Sequence, residues 1–306
     1  MIGYESELIE KVNRLKKERK AVILAHNYQV PEVQDVSDFV GDSLELSLKA
    51  ARTDAEVIVF CGVHFMAETA AILCPGKKVL MPDINSGCPM ADMITANDVR
   101  AMKSAHPGAI VVCYVNTSAE VKAESDICCT SSNAVKVVQS VPSEKDIIFI
   151  PDKHLGKFVE EQAGRKMILF DGYCPSHVRM MSEELHRVKG AFRDAPVLAH
   201  PETPAEISGE ADHVLSTSGI LRVAHELSAS TIIVGTEPGI IHRLKKENPE
   251  KTFVPACQWC NCANMKMNTL EKIFWALEDL SNEVVVPEKI RLKARHAVDR
   301  MLAIAP

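Results

Sequence analysis

The stretch Ala21-Val22-Ile23-Leu24-Ala25-His26-Asn27-Tyr28 sets an apolar run directly against three polar residues. A run that is apolar throughout, rather than alternating, suits a parallel strand buried on both faces, with the polar residues at its carboxyl end. The same ending recurs. Tyr114-Val115-Asn116 lies 88 residues on, and His200-Pro201-Glu202 a further 86. Two other landmarks keep this period. Asp38 followed by Ser43, Asp126 followed by Ser131 and Asp212 followed by Thr217 each lead into a helical pattern, again 88 and 86 residues apart. Cys88, Cys174 and Cys262 each follow the last expected strand of a unit, 86 and 88 residues apart. Such a repeat is domain-sized, beyond the roughly 20 to 50 residues of solenoids.

Apolar runs predict nine strands, over residues 21–25, 56–60, 78–81, 109–115, 146–150, 166–170, 196–199, 231–234 and 252–254. Helical patterns over 42–52, 91–105, 176–189, 219–227 and 270–280 lie between them, so the class is α/β. The expected architecture is three homologous three-layer αβα units around a pseudo-threefold axis, each with a small parallel sheet. They span 20–108 (with an N-terminal helix over 1–19), 109–194 and 195–280, and a C-terminal helix over 281–306 packs back on the body. Open α/β sheets bind ligands beyond the carboxyl ends of their strands, where all the repeated polar landmarks stand.

The chain has 306 residues, with 35 Lys plus Arg against 41 Asp plus Glu and a formal charge of −6, which argues against a nucleic-acid partner. Apolar residues at 46% and charged residues at 25% are ordinary globular usage and exclude disorder, collagen and coiled coil as the main architecture. No run approaches the roughly 18 apolar residues that span a bilayer, and the first twenty residues hold no signal-peptide core. A cytoplasmic, membrane-free protein is expected.

Without export, the ten cysteines are expected to be mostly reduced. Cys61, Cys113, Cys128 and Cys129 lie in or beside apolar strand patterns and read as packing, and Cys74 has no evident partner. Three cysteines at equivalent positions would form a triangle about the axis, which suits an iron-sulfur cluster whose fourth iron stays open. Zinc normally takes a fourth protein ligand, for which His177 is available. The C-x-x-C-x-C run of Cys257, Cys260 and Cys262 reads alone as half a zinc knuckle, a cluster ligand set or a redox pair. The repeat selects Cys262 as the ligand and leaves Cys257 and Cys260 as a redox pair.

At the strand ends, His26, His200 and Glu202 carry groups that burial can tune toward neutral pH, and the Tyr28 phenol can donate to a leaving oxygen. Ser43, Ser131 and Thr217 fall where helices begin. There they cap their own helix, and the three helix N-termini offer amide donors to anions.

Taken together with Gly41-Asp42-Ser43-Leu44-Glu45, Ser216-Thr217-Ser218-Gly219 and Met265-Lys266-Met267-Asn268-Thr269-Leu270-Glu271, these motifs strongly resemble the quinolinate synthase family over nearly the whole chain. The resemblance implies an enzyme of de novo NAD biosynthesis. Such an enzyme condenses iminosuccinate (iminoaspartate), supplied by L-aspartate oxidase, with dihydroxyacetone phosphate to give quinolinate, phosphate and water. It implies an oxygen-sensitive four-iron four-sulfur (4Fe-4S) cluster on Cys88, Cys174 and Cys262. It also implies acid/base work for Tyr28 and Glu202, substrate contacts for His26, His177 and His200, and orientation of the condensing carbons by Tyr114 and Asn116. The family's C-terminal cysteine pattern is C-x-x-C-x-x-C or a close variant. This chain departs from it, which leaves Cys260 as the alternate third ligand and bears on the Cys257–Cys260 disulfide known in some members. The competing readings are another iron-sulfur hydro-lyase and a cysteine-based metal- or redox-sensing binding protein.

Overall fold

The computed structural model describes residues 2–304, so Met1 and residues 305–306 of the expected terminal helices lie outside the described residues. Three four-stranded sheets carry the fold. The first holds β1 (Ala21–His26), β2 (Phe39–Gly41), β3 (Val57–Cys61) and β4 (Lys78–Leu80). The second holds β5 (Ile110–Tyr114), β6 (Ile127–Cys129), β7 (Ile147–Ile150) and β8 (Ile168–Leu169). The third holds β9 (Val197–Ala199), β10 (His213–Val214), β11 (Thr231–Gly235) and β12 (Thr252–Pro255). All pairings are parallel and the orders are the same: β2-β1-β3-β4, β6-β5-β7-β8 and β10-β9-β11-β12. Each sheet therefore reverses its direction of growth beside its first strand, and the crevice at the carboxyl end of that strand is the topological switch point.

All nine expected runs are strands, and the three the sequence reading did not define, β2, β6 and β10, each form one of the two edges of their sheet. The central strands read clearly because they are buried on both faces: Ile23, Leu24, Val111, Val112, Val197 and Leu198 are wholly inaccessible.

The repeated aspartates have a structural purpose. Asp38 Oδ2 accepts the backbone N–H of Ile23, Asp126 Oδ2 that of Val111 and Asp212 Oδ2 that of Val197, each at 2.8 Å. Each aspartate's own N–H returns to the carbonyl of the same partner, at 3.0, 3.1 and 3.0 Å. One residue thus stitches the edge strand to the first strand of its sheet. A second threefold set was not singled out from sequence. Lys77, Arg165 and Lys251 each donate to carbonyls at the C-terminal end of the helix that follows the edge strand, where a cation also meets the negative end of the helix dipole.

Two expectations need correction. The helices predicted over 91–105 and 176–189 are each broken in two: a 3-10 turn (Ala91–Met93, His177–Arg179), then a helix (Ala96–Ala105, Ser182–Ala191). The third unit repeats this with Met265–Met267 and Leu270–Asp279. The cause is local: Ile94, Met180 and Asn268 are extended, and Thr95 and Thr269 start new helices by accepting from Asp98 N and Lys272 N. The second correction concerns Ser43, Ser131 and Thr217, which are not the caps of their helices. Those positions belong to Asp42, Asn133 and Ser216.

The N-terminal helix Ile2–Glu18 buries Leu8, Val12 and Leu15 against β1 and the helix Leu270–Asp279. The C-terminal helix Glu288–Leu302 buries Ala294, Ala297, Val298 and Met301, mainly on the second unit, where Asn133 Nδ2 donates to the carbonyls of Met301 (3.2 Å) and Ile304 (3.0 Å). Among the described residues, no helix is long and apolar enough to cross a membrane.

Candidate active site

The carboxyl ends of the three sheets converge on a cavity of about 70 Å³. The residues expected to act on substrate or hold the metal centre line it: His26, Tyr28, Ser43, Cys88, Tyr114, Asn116, Ser131, Cys174, His177, His200, Glu202, Thr217 and Cys262, whereas the alternate ligand Cys260 does not.

The three cysteines share one local geometry. Each stands three residues before the first residue of a 3-10 helix, at Ala91, His177 and Met265. Backbone N–H groups of that turn therefore face the sulfurs: Met90 and Ala91 on Cys88, His177 on Cys174, and Asn264 and Met265 on Cys262. Burial opposes them. It pushes the Cys88 thiol up to about 12, raises Cys174 further and raises Cys262 as well. A bound metal centre reverses that balance, because it takes thiolates and replaces the lost solvation. Ser86 Oγ donates to the carbonyls of Gly62 (2.9 Å) and Asn264 (2.7 Å), and Asn264 Nδ2 donates to Gly87 O (2.8 Å), so the first and third cysteine loops are laced together.

Cys257 and Cys260 are joined as a disulfide, whereas Cys88, Cys174 and Cys262 are free. Cys260 therefore has no thiolate to offer, and the register of the turn matches Cys262. The packing cysteines behave as expected. Cys61, Cys113, Cys128 and Cys129 are buried, and Cys74 donates to Ala50 O at 3.1 Å. The ligand atoms of Cys174, His177 and Glu202 lie within 4.8 Å of one another. His177, however, is committed: Nδ1 is 2.8 Å from Glu202 Oε2 and 3.2 Å from Cys174 Sγ, and Nε2 is 2.8 Å from Thr236 Oγ1. Three free thiols without a fourth protein ligand fit an iron-sulfur cluster better than structural zinc.

Glu202 is the charge centre of the second half of the site. Burial would raise its pKa, but the facing His177 and its hydrogen bond, then His200, then the Tyr114 hydroxyl at 2.5 Å hold it well below the usual carboxylate range. Its charge adds to burial in pushing the Tyr28 and Tyr114 phenols up. His26 and His200 are built alike. In each ring Nδ1 accepts the backbone N–H two residues on, Tyr28 at 3.2 Å and Glu202 at 3.3 Å. The neutral ring therefore carries its hydrogen on Nε2, and that of His200 reaches Ser131 Oγ at 3.1 Å.

The third element lies where the edge-strand helices begin. Asp42 Oδ1 caps its own helix, and Oδ2 accepts from Ser132 Oγ (2.6 Å) and Ser218 Oγ (2.7 Å), which occupy matching positions in the second and third units. Thr217 Oγ1 accepts from Asn27 Nδ2 at 3.1 Å. Asn116 Oδ1 is buried without a hydrogen-bond partner among the described residues.

The family described as Quinolinate synthetase A protein matches residues 10–303. The chain belongs to that family. It is 56% identical over 301 residues to the quinolinate synthase of Dehalococcoides mccartyi strain CBDB1, covering 98% of this chain and 99% of that one. It is also 51% identical over 297 residues to the quinolinate synthase of Thermodesulfovibrio yellowstonii (97% and 98% covered) and 50% identical over 300 residues to that of Methanosarcina barkeri (98% of each).

This family member also places in the site residues that the sequence reading did not single out. Asp42 was legible in principle, since Asp42-Ser43-Leu44-Glu45 has capping-box spacing and the box is formed. Glu237, fully buried, takes the backbone N–H of Cys262 (3.2 Å) and the Lys266 ammonium (2.8 Å), and nothing local announces it.

Burial lowers His26 to about 4 and His200 to about 3, against the opposing pull of Asp42 and Glu202 on His26 and of Glu202 on His200. The unfolded chain binds these protons near the ordinary histidine value of 6.5 and the folded chain does not, so stability is complete above that pH and falls below it. At about 1.4 kcal/mol per pH unit, His26 alone costs about 3 kcal/mol by pH 4. Thermal unfolding should show a midpoint that falls steadily between pH 6.5 and 4 and a weaker fall in His26→Gln. Equal falls in both would refute the assignment.

Proposed function

We propose that the protein is a quinolinate synthase that condenses iminosuccinate with dihydroxyacetone phosphate, releasing quinolinate, phosphate and two water molecules. L-aspartate oxidase is the class of enzyme that supplies the imine. The observation that carries this reading is the convergence of three free cysteines, in one register of a threefold repeat, on the same cavity as Glu202 and its phenol and imidazole partners. The units that build the cavity are proposed to run over 20–108, 109–194 and 195–280, and the protein to work in the cytoplasm.

Cys88, Cys174 and Cys262 would hold a 4Fe-4S cluster. When bound, such a cluster supplies a Lewis-acidic iron without a protein ligand, suited to assisting loss of hydroxide. The rest falls to this chain's side chains. Neutral His26 and His200 present Nε2–H donors to substrate carboxylates, held in that tautomer by backbone amides. Ser43, Ser131 and Thr217, relieved of capping, line the cavity beside the helix N-termini and suit the anionic groups of both substrates. Glu202 and Tyr28 share the acid/base work of enolisation and dehydration, Glu202 being ionised and in contact with two proton-bearing partners, and Tyr114 orients the condensing carbons. Asn116 offers the condensing carbons' substituents an unpaired amide oxygen.

The test is an anaerobic assay on iron- and sulfide-reconstituted protein given dihydroxyacetone phosphate and freshly generated iminosuccinate. Quinolinate that vanishes on exposure to air is expected. A fully loaded cluster that forms no quinolinate would overturn the reading.

A further inference from the structure

Thr236 stands directly beyond β11, wholly buried. The pairings of Ala25 with Cys61, Cys113 with Ile150 and Ala199 with Gly235 make it the counterpart of Gly62 and Pro151 in the other two units. Neither of those has a side chain that can hydrogen-bond, so the strand end does not need one in order to fold. Only the third unit places a hydroxyl there, and that hydroxyl joins the other two units. Thr236 Oγ1 is 2.6 Å from the phenol oxygen of Tyr28 and 2.8 Å from His177 Nε2.

Counting donors and acceptors gives the pair a direction. The Glu202 carboxylate only accepts, so His177 Nδ1, 2.8 Å away, carries the hydrogen. When the ring is neutral its lone pair lies at Nε2, 2.8 Å from Thr236 Oγ1, and the Thr236 O–H donates to it. The Thr236 oxygen in turn accepts from the Tyr28 O–H.

We propose that Thr236 is a positioning residue for the condensation. It holds the Tyr28 phenol hydrogen away from the substrate, so that Tyr28 meets the cavity with its oxygen lone pairs, and it fixes His177 as the Nδ1–H tautomer. This rests on the quinolinate synthase reading for its chemistry but not for its geometry. Tyr28 accordingly accepts a hydrogen bond from a substrate hydroxyl or imine N–H. Donation to a leaving oxygen requires its hydroxyl to turn off Thr236 first.

Two measurements test this. In the full-length, cluster-free chain labelled with ¹⁵N at histidine, the wild-type His177 ring should give the separated shifts of an Nδ1–H tautomer. Thr236→Ser should keep them, and Thr236→Val should move them toward averaged values. In the reconstituted holoenzyme, Thr236→Val should lower kcat about 100-fold. KM for dihydroxyacetone phosphate should stay within about threefold of wild type, and Thr236→Ser should recover to within about fivefold. Iron and sulfide per chain should be unchanged throughout. An Nε2–H tautomer in the wild type, equal kcat losses in Val and Ser, or a loss carried wholly by KM would each overturn the inference. A wild-type holoenzyme that makes no quinolinate while His177 is the Nδ1–H tautomer would sink the functional reading and leave the positioning geometry standing.

Discussion

Cys262→Ala is expected to leave the purified protein without a stable cluster and without quinolinate formation, whereas Cys260→Ala is expected to retain both. The two residues are neighbours in sequence with opposite surroundings. Cys260 is bonded to Cys257 and buried among Met180, Leu185 and Ile233. Cys262 is free, lines the cavity and receives the backbone N–H groups of Asn264 and Met265, as Cys88 receives those of Met90 and Ala91. With Cys262 gone, two thiols remain, and two cannot hold three irons of a cube. Activity should fall to background and iron per chain with it. Cys260→Ala opens a very short disulfide loop, which costs about 2 kcal/mol on loop-entropy grounds and lowers the thermal midpoint without touching the triad. Iron and sulfide analysis of the two variants, reconstituted side by side, decides the matter. A loaded, active Cys262→Ala would remove Cys262 from the ligand set.

The cysteine register was legible because three copies of one unit fold in one chain. A lone cysteine before a short turn carries no signal, but the same spacing three times does. The identical strand orders and the aspartate stitches explain why the period is so strict, since a one-residue slip would lose the bond from Asp126 to Val111 N. What sequence could not show were the features peculiar to one unit. Thr236 has no hydroxyl at the matching position of either other unit to announce it, and its contacts span 208 and 59 residues of chain. The helix breaks at Ile94 and Met180 were missed for another reason: their apolar patterns continue across the gap even though the backbone does not. Capping was assigned to Ser43 and Thr217 rather than to Asp42 and Ser216, one residue away. That small shift has a chemical consequence, since it frees both hydroxyls for the cavity.

Glu202→Gln should be the most damaging change that leaves the cysteines alone, with kcat lowered about 10²- to 10⁴-fold. Glu202 is almost wholly buried and accepts from His177 Nδ1 at 2.8 Å and from the Tyr114 hydroxyl at 2.5 Å, one donor to each oxygen. A glutamine has a single acceptor, so its amide N–H must face either an imidazole N–H or a phenol O–H, and one of them is left unpaired. That costs roughly 1–3 kcal/mol of stability. The loss of a base is a separate effect, and Tyr114→Phe separates the two. Phenylalanine removes the same hydrogen bond without placing donor against donor or removing the carboxylate, so its kcat should fall by no more than about tenfold. Cluster content should match wild type in both variants, because neither residue supplies sulfur. If Glu202→Gln and Tyr114→Phe proved equally impaired, Glu202 would be a scaffold for Tyr114 and not the base. If Glu202→Gln lost most of its activity and Tyr114→Phe kept it, the carboxylate itself would be taking the proton, and His177, through its Nδ1 contact at 2.8 Å, would act by keeping it ionised at the centre of a cavity that otherwise disfavours charge.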